Sequence, residues 1–145
     1  MYRLIYKSTG IDVINWDTVE SIMHASEDYN RRKDITGVLL ASNSSFLQVL
    51  EGRYEDINEA FMRIVMDDRH TDVKLIVFHP IDSRLFSSWH MKGIGVFDLS
   101  EDTAKALKQK YGESNGEVNF PLEEWQVLAM VQDINLVLDI PEWKK

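Results

Sequence analysis

The sequence predicts an α+β fold in which two helices cover one face of a β-sheet and two further helices follow at the C-terminal end. Apolar residues alternate in several short segments, as they do in strands with one buried face, and recur at helical spacing in the segments between them. Along residues 1–97 the order is strand, helix, strand, strand, helix, strand. This order is typical of a ferredoxin-like βαββαβ sandwich.

The first strand and the first helix follow from simple patterns. Residues 2–8 alternate large side chains, so we predict a strand in which Tyr2, Leu4 and Tyr6 share a face. Residues 15–29 carry apolar side chains at helical spacing, and Asn15 is a suitable N-cap. A buried tyrosine at position 6 would need a hydrogen-bond partner for its hydroxyl.

A β-hairpin is predicted at residues 35–52, where two apolar runs flank the turn-forming residues 42–45. Strand alternation puts Phe46, Gln48 and Leu50 on one face. Burying the Gln48 amide without a partner would cost a few kcal/mol, and the Tyr6 hydroxyl on another strand could supply one. Two interpretations stay open: a structural glutamine bonded to backbone or facing water, or an amide that contacts a flat polar ligand under the sheet.

The rest of the domain is predicted as a helix, a strand and an additional strand. The helix spans about residues 54–66, with Ile57, Ala60, Phe61, Ile64 and Val65 as its buried stripe. After a polar break at residues 67–72, a fourth strand at 73–79 stops at Pro80. A fifth strand at 89–97, weakened by two glycines, would place Trp89 and Met91 on one face.

The C-terminal segment predicts two helices. Ser100 caps the first, at residues 100–111, and Pro121 opens the second. The second has too many apolar residues for a narrow stripe, so we expect it to be buried on more than one side, against the domain or another copy. We therefore divide the chain into a domain at 1–97 and an extension at 98–145, and we expect self-association.

Composition excludes several classes of protein. The 145 residues are 44% apolar and 28% charged, which is typical of a globular domain. A net charge of −8 argues against a nucleic-acid partner. No apolar run approaches the roughly 20 residues that cross a bilayer, so we expect no membrane partner and a cytoplasmic location. The absence of cysteine excludes disulfides and cysteine metal sites.

Motifs for catalysis and metal binding are weak. The four histidines, His24, His70, His79 and His90, have no zinc-like spacing, so no metal site is expected. Glycine-rich phosphate motifs are missing as well. The pairs Arg31-Arg32 and Arg69-His70 could form a cationic rim for a phosphate, or could simply be solvated surface.

A set of ordered motifs resembles the BLUF family, the blue-light sensors that use flavin. The motifs are Leu4-Ile5-Tyr6-Lys7-Ser8, Tyr29-Asn30, Ile35-Thr36-Gly37, Phe46-Leu47-Gln48-Val49-Leu50-Glu51-Gly52, Asp67-Asp68-Arg69-His70, and Phe86 with Trp89-His90-Met91. The resemblance covers residues 1–97, and the trailing helices are similar to those of short, stand-alone family members.

The resemblance implies roles for residues at the photochemical centre. Tyr6 matches the tyrosine that donates an electron and a proton to the excited flavin. Gln48 matches the amide that hydrogen-bonds both this tyrosine and the flavin ring. Trp89 and Met91 match the fifth-strand residues that change place on illumination.

The resemblance also implies a set of cofactor contacts. Asn30 matches the asparagine at the polar edge of the ring, and Ser26 would lie near the ring. Ile22 and Ile64 match the pair that sandwich it. Residues Arg63, Asp67, Arg69 and His70 match positions near the ribityl and phosphate end.

The function implied is that of a photoreceptor without enzymatic activity. It would bind FAD, with FMN or riboflavin possible, and signal to a downstream protein by direct contact. The alternative is a light-independent regulatory ferredoxin-like module that binds a small ligand. A small hydrolase of the acylphosphatase kind would need an arginine and asparagine cradle on the first loop, and Ser8-Thr9-Gly10 supplies neither.

Overall fold

A computed structural model describes residues 1–138 of the chain, and residues 139–145 of the predicted extension lie outside that range. Two compact units make up the chain, one ending at Asp98 and the other beginning at Leu99. The first unit contains β1 (Tyr2–Gly10), α1 (Trp16–Arg32), β2 (Thr36–Ala41), β3 (Ser45–Gly52), α2 (Tyr54–Val65), β4 (His70–Pro80), β5 (His90–Gly95) and a short 3-10 helix (Val96–Asp98).

The first unit is a mixed five-stranded sheet with the strand order β4-β1-β3-β2-β5. Neighbouring strands are antiparallel except β5, which runs parallel to β2 at the edge. Without β5, the order β4-β1-β3-β2 with α1 and α2 as crossovers is the ferredoxin-like arrangement. The predicted α+β fold, its additional fifth strand and its two C-terminal helices are confirmed.

Both crossover helices pack on the same face of the sheet. That face carries Leu4 and Tyr6 of β1 and Phe46 and Leu50 of β3, all buried. The helices contribute buried residues to the same clusters, among them Val19, Tyr29, Ile57 and Ala60. The predicted alternation in β3 is therefore correct, and it directs Gln48 toward the helices.

Strands β1 and β4 are longer than predicted where they pair with each other. β1 continues to Gly10 and β4 begins at His70, because Thr9 pairs with Thr71 and Gly10 with His70. Two register shifts interrupt this ladder, one between Ile5 and Tyr6 and one between Lys7 and Thr9. Residues 70–72, predicted as part of a polar break, are therefore strand.

The fifth strand is shorter than predicted and irregular. It spans His90–Gly95, and Trp89 precedes it. His90 pairs with Gly37 and Lys92 with Val38, which leaves Met91 as an extra residue in a bulge, with φ 128°. Because of this bulge, simple alternation does not relate Trp89 to Met91.

The second unit contains α3 (Glu101–Tyr111), β6 (Glu113–Ser114), β7 (Glu117–Val118) and α4 (Glu124–Leu138). The predicted cap is present, since the Ser100 side chain accepts a hydrogen bond from the Thr103 N–H at 3.2 Å. The hairpin β6–β7 was not predicted, although Asn115-Gly116, with φ 53° and 80°, is a strong two-residue turn signal. The last helix begins three residues after Pro121.

Helix α4 buries Val127, Met130, Val131 and Ile134 and leaves Trp125 and Leu136 exposed. Within the described part of the chain, no helix has the length and apolar character needed to span a bilayer.

Candidate functional site

A cavity of about 170 Å³ lies between the sheet and its two helices. A single water molecule needs about 10–15 Å³ of cavity volume, so this cavity has room for a ligand of many heavy atoms. Its lining residues are Tyr6, Ile22, Ala25, Ser26, Tyr29, Asn30, Leu39, Phe46, Gln48, Leu50, Ala60, Arg63, Ile64, Asp67, Arg69 and His70.

The buried end of the cavity holds a tyrosine–glutamine pair. Tyr6 of β1 and Gln48 of β3 are directly opposite each other in the antiparallel ladder, and both side chains point toward the helices. The Tyr6 hydroxyl donates to Gln48 Oε1 at 2.6 Å. The two residues are 3% and 5% exposed, so the bond forms away from solvent. The partner predicted for Gln48 is confirmed.

The nitrogen of the same amide faces β5. Gln48 Nε2 donates to Met91 Sδ at 3.3 Å. A thioether sulfur is a weak acceptor, so this bond is weaker than the one at the amide oxygen. The second N–H of Nε2 has no partner in residues 1–138, and it is available to a ligand in the cavity.

Burial keeps the Tyr6 hydroxyl protonated, so that it can donate to Gln48 Oε1. Desolvation raises the pKa of the Tyr6 hydroxyl well above its ordinary value, and the nearby Asp67 carboxylate raises it further. The phenol is therefore neutral at physiological pH. It donates, and the amide oxygen of Gln48 accepts.

One face of α1 forms a wall of the cavity. Ile22, Ser26, Tyr29 and Asn30 lie on it because they are three or four residues apart. The Ser26 hydroxyl is already used, donating to the Ile22 carbonyl oxygen at 3.0 Å. Asn30 is only 4% exposed, yet its side-chain amide makes no hydrogen bond to any residue in the described range 1–138. A buried amide in this state fits a polar ligand.

The cavity mouth carries an ion pair. Arg69 donates to both carboxylate oxygens of Asp67, with Nη2 at 2.6 Å from Oδ2, and its Nη1 reaches Ser21 Oγ on α1 at 2.9 Å. Hydrogen bonds from the Arg69 side chain hold the pKa of Asp67 below its ordinary value, against burial, which would raise it. Asp67 and Arg69 side chains are 27% and 33% exposed, so water reaches this end.

Two further basic residues at the mouth, Arg63 and His70, also contact other side chains or the backbone. The Arg63 guanidinium lies 4.2 Å from the centre of the Tyr29 ring and pairs with Glu59 at 3.2 Å. The His70 ring connects the Ser8 hydroxyl, 2.7 Å from Nδ1, to the Ile64 carbonyl oxygen at Nε2. That carbonyl can only accept, so Nε2 carries a proton.

The structure brings most of the predicted site residues together. Those that line the cavity are Tyr6, Ile22, Ser26, Asn30, Gln48, Arg63, Ile64, Asp67, Arg69 and His70. Met91 reaches the site through the Gln48 amide. Trp89 is not among the lining residues, and its ring stacks on Phe86 with centroids 5.6 Å apart.

Several lining residues were not predicted: Ala25, Tyr29, Leu39, Phe46, Leu50 and Ala60. The signal that could have found them is periodicity. Ala25 and Tyr29 follow Ile22 at helical spacing, while Phe46 and Leu50 flank Gln48 at strand spacing.

The cavity suits a flat ligand with a polar edge and an anionic tail. Ile22 and Ile64 can supply apolar contacts from the two helices. The Asn30 side-chain amide and the second N–H of Gln48 Nε2 can supply hydrogen bonds at the buried end. Arg63, Arg69 and His70 lie at the partly exposed mouth together with Asp67. A tricyclic flavin ring with a ribityl phosphate chain has these features.

Comparisons with known proteins point to the same ligand. The sequence profile of BLUF, described as sensors of blue light using FAD, matches residues 1–92. The chain is 30% identical over 104 residues to photoactivated adenylate cyclase subunit alpha of Euglena gracilis, a match covering 70% of this chain and 10% of that protein. It is 26% identical to the blue light- and temperature-regulated antirepressor BluF of Escherichia coli K12, covering 95% of this chain and 35% of that protein.

A solved structure is similar over nearly its whole length. The dark state of BlrB, described as a BLUF protein, superimposes with a TM-score of 0.72 at 26% identity, covering 94% of this chain and 96% of that one. The curated relatives named above are much longer, and the chain spans about a tenth and about a third of their lengths. Residues 1–92 match the family's sequence profile, and the fold is similar to that of a solved BLUF protein. The chain therefore belongs to the BLUF family of flavin-binding blue-light photoreceptors.

Proposed function

We propose that light is detected at the hydrogen bond between Tyr6 and Gln48, and that Met91 and Trp89 carry the change to a partner protein. The observation that carries the proposal is the buried chain of contacts from the Tyr6 hydroxyl through the Gln48 amide to Met91 Sδ. It joins three strands by side chains whose hydrogen bonds can be exchanged without breaking a covalent bond.

We propose FAD as the bound flavin, with FMN and riboflavin as alternatives. Ile22 and Ile64 would contact the two sides of the ring, and Asn30 and Gln48 would bond its polar edge, with Ser26 nearby. The residues at the mouth would hold the ribityl phosphate chain, namely Arg63, Asp67, Arg69 and His70. When bound, the flavin supplies absorption of blue light and an excited state that accepts an electron.

The protein residues would respond by moving one proton and turning one amide. Tyr6 is a neutral phenol, and loss of an electron to the excited flavin would make its hydroxyl proton strongly acidic. The proton would then pass toward Gln48 Oε1, the acceptor at 2.6 Å, and would later return to Tyr6 together with the electron. The Gln48 side chain then changes which of its ends donates, by rotation or tautomerisation. Rotation would turn Oε1 toward Met91 Sδ, which has no proton to donate, and so would break the Gln48–Met91 bond.

Output would follow from the fifth strand. Loss of the Gln48–Met91 bond alters the start of β5, where Trp89 stacks on Phe86. We propose that this change passes through the C-terminal helices to a separate effector, in a cytoplasmic, self-associating protein that has no catalysis of its own. Relatives named as adenylate cyclase subunits and as an antirepressor support an effector of variable kind.

The absorption spectrum of the purified protein before and after blue light tests this function. We expect a yellow protein whose flavin band moves reversibly to longer wavelength. A colourless protein would instead support the light-independent ligand-binding module. A yellow protein whose band does not move would contradict light sensing.

A pair of tyrosine variants tests the mechanism. Tyr6→Phe keeps the ring and removes the hydroxyl, so it should bind flavin and lose the reversible shift. Tyr2→Phe is the matched control, because Tyr2 lies on the same strand in an aromatic cluster with Tyr54 and Phe78 and does not line the cavity. A full light response in Tyr6→Phe would exclude the proposed role of this hydroxyl.

A further inference from the structure

A buried carboxylate lies on the other side of the strand that carries Gln48. Glu51 of β3 is 0% exposed, and strand alternation directs it away from the cavity. Arg3 of β1 faces it, with Nη2 at 2.8 Å and Nε at 3.0 Å from Oε2. The proposed photochemistry does not use this ion pair.

The same carboxylate holds the segment between β4 and β5. The backbone N–H groups of Leu85 and Phe86 each donate to Glu51 Oε1 at 2.9 Å. Arg84 Nη1 bonds Thr36 Oγ1 at 2.8 Å and the Glu51 carbonyl oxygen at 3.1 Å. We call these contacts of Glu51 and Arg84 the loop anchor.

The loop anchor is continuous with the start of β5. The Phe86 ring stacks on Trp89 at an interplanar angle of 15°, and the Trp89 N–H donates to the Phe86 carbonyl oxygen at 3.1 Å. The Trp89 carbonyl oxygen accepts from the Gly37 N–H at 2.9 Å. Met91, which accepts from Gln48, comes two residues later. Residues 85–86 are thus connected to the start of β5 through Trp89.

We propose that Glu51 is a positioning residue for the light response, because its carboxylate fixes the loop that places Met91 against Gln48. This inference rests on the proposed function. Both faces of β3 therefore act on Met91. Gln48 contacts Met91 directly on one face, and Glu51 on the other face sets the position of Met91 through residues 85–89. Neither Glu51 nor Arg84 lines the cavity.

The substitution Glu51→Gln separates these two contributions. It keeps the shape of the side chain, but it removes the charge that faces Arg3 and replaces one accepting oxygen with a donating NH₂ group. The N–H groups of Leu85 and Phe86 then face a poorer acceptor, and the loop loosens. Tyr6 and Gln48, on the opposite face of the sheet, keep their bond.

The experiment measures flavin content, the light-induced shift, the rate of dark recovery and amide hydrogen exchange of residues 84–89. For Glu51→Gln we expect normal flavin content and a normal shift, with faster exchange in the loop. Recovery should be about fivefold slower, as expected if Met91 occupies its dark position about a fifth of the time.

Two further variants provide a second test and a control. Arg84→Gln loosens the same loop from a side chain only 11% exposed and should also slow recovery. Asp56→Asn is the matched control, since Asp56 is another buried carboxylate in an ion pair, with Arg53 Nε at 3.0 Å, and has no contact with the loop. It should recover at the wild-type rate.

Three results would each overturn the proposal. The first is unchanged or faster dark recovery in both Glu51→Gln and Arg84→Gln, and the second is equal slowing of recovery in Asp56→Asn. The third is unchanged hydrogen exchange of residues 84–89 in Glu51→Gln. Absence of a light response in the wild-type protein is a different result. It would refute the proposed function, while the exchange measurement would still test whether Glu51 fixes the loop.

Discussion

The two ends of the cavity differ in charge and in exposure. At the buried end, Tyr6, Gln48 and Asn30 are neutral, and each is at most 5% exposed. At the mouth, Asp67 and Arg69 are charged, paired and about a third exposed. Charges are costly to bury, whereas neutral hydrogen-bonding groups can be buried if they find partners. We therefore expect the buried end to perform the proposed chemistry and the mouth to contribute modestly to binding.

The largest effect is expected from Gln48→Leu, which removes the amide and keeps similar bulk. Tyr6 would lose its acceptor and Met91 its donor, so the light-induced shift should disappear. A buried hydroxyl without a partner costs about 1–3 kcal/mol, which should appear as a lower free energy of unfolding in urea. A variant with a normal shift would show that the buried end does not perform the chemistry.

A smaller effect is expected from Asn30→Leu. This change removes a buried amide that has no protein partner in residues 1–138, so the apoprotein should lose little stability. Flavin affinity should fall about tenfold, which corresponds to the loss of about 1.4 kcal/mol in binding free energy. Titration of apoprotein with flavin, followed by fluorescence quenching, measures this. Ser26→Ala is the control, since the Ser26 hydroxyl already bonds its own helix.

At the mouth, Arg69→Gln should have a weak effect. A partly exposed ion pair contributes less than about 1 kcal/mol. Because Arg69 lowers the pKa of Asp67, its stabilising contribution is present above the ordinary carboxyl pKa and is lost as pH falls through the lower folded value. The variant should therefore be slightly less stable than wild type at neutral pH and equal to it in strong acid. A large loss of stability in Arg69→Gln at neutral pH would show that the mouth is as important as the buried end.

Between neutral pH and about pH 10, almost no effect of pH is expected at the buried end. The pKa of Tyr6 is raised in the folded protein, so its stabilising contribution is fully present below the ordinary tyrosine pKa of about 10 and is lost as pH rises above it. The stability difference between wild type and Tyr6→Phe should be constant from neutral pH to about pH 10 and shrink above it. Urea unfolding at several pH values measures this difference. A difference that stays constant as pH rises above about 10 would indicate that the hydroxyl keeps its ordinary pKa and is not buried.

The sequence predicted best where a side chain's direction follows from local periodicity. The position of Gln48 among apolar neighbours, with Tyr6 as its partner, follows from strand alternation, and Asn15 and Ser100 follow from capping chemistry. The two helical walls follow from spacing as well. For Trp89 and Met91, periodicity failed because a single extra residue in β5 breaks the alternation.

Long-range pairing explains the other errors. The strand assignment of residues 70–72 depends on pairing with β1, since those residues are polar and show no strand pattern of their own. The contacts of Glu51 with Leu85 and Phe86 join residues far apart in the chain, and no local pattern encodes them. The roles assigned to individual cavity residues came from the family resemblance and stay predictions.

The positive φ of Met91 strains the backbone of β5. A φ of 128° is unfavourable for any residue with a side chain and costs about 1–3 kcal/mol. β5 therefore holds conformational strain at the residue that accepts a hydrogen bond from Gln48 Nε2. Pairing of His90 and Lys92 with β2 keeps it in that conformation. If the sulfur contact is lost, this stored energy favours relaxation of the backbone. The turn of a single amide would then displace a length of main chain.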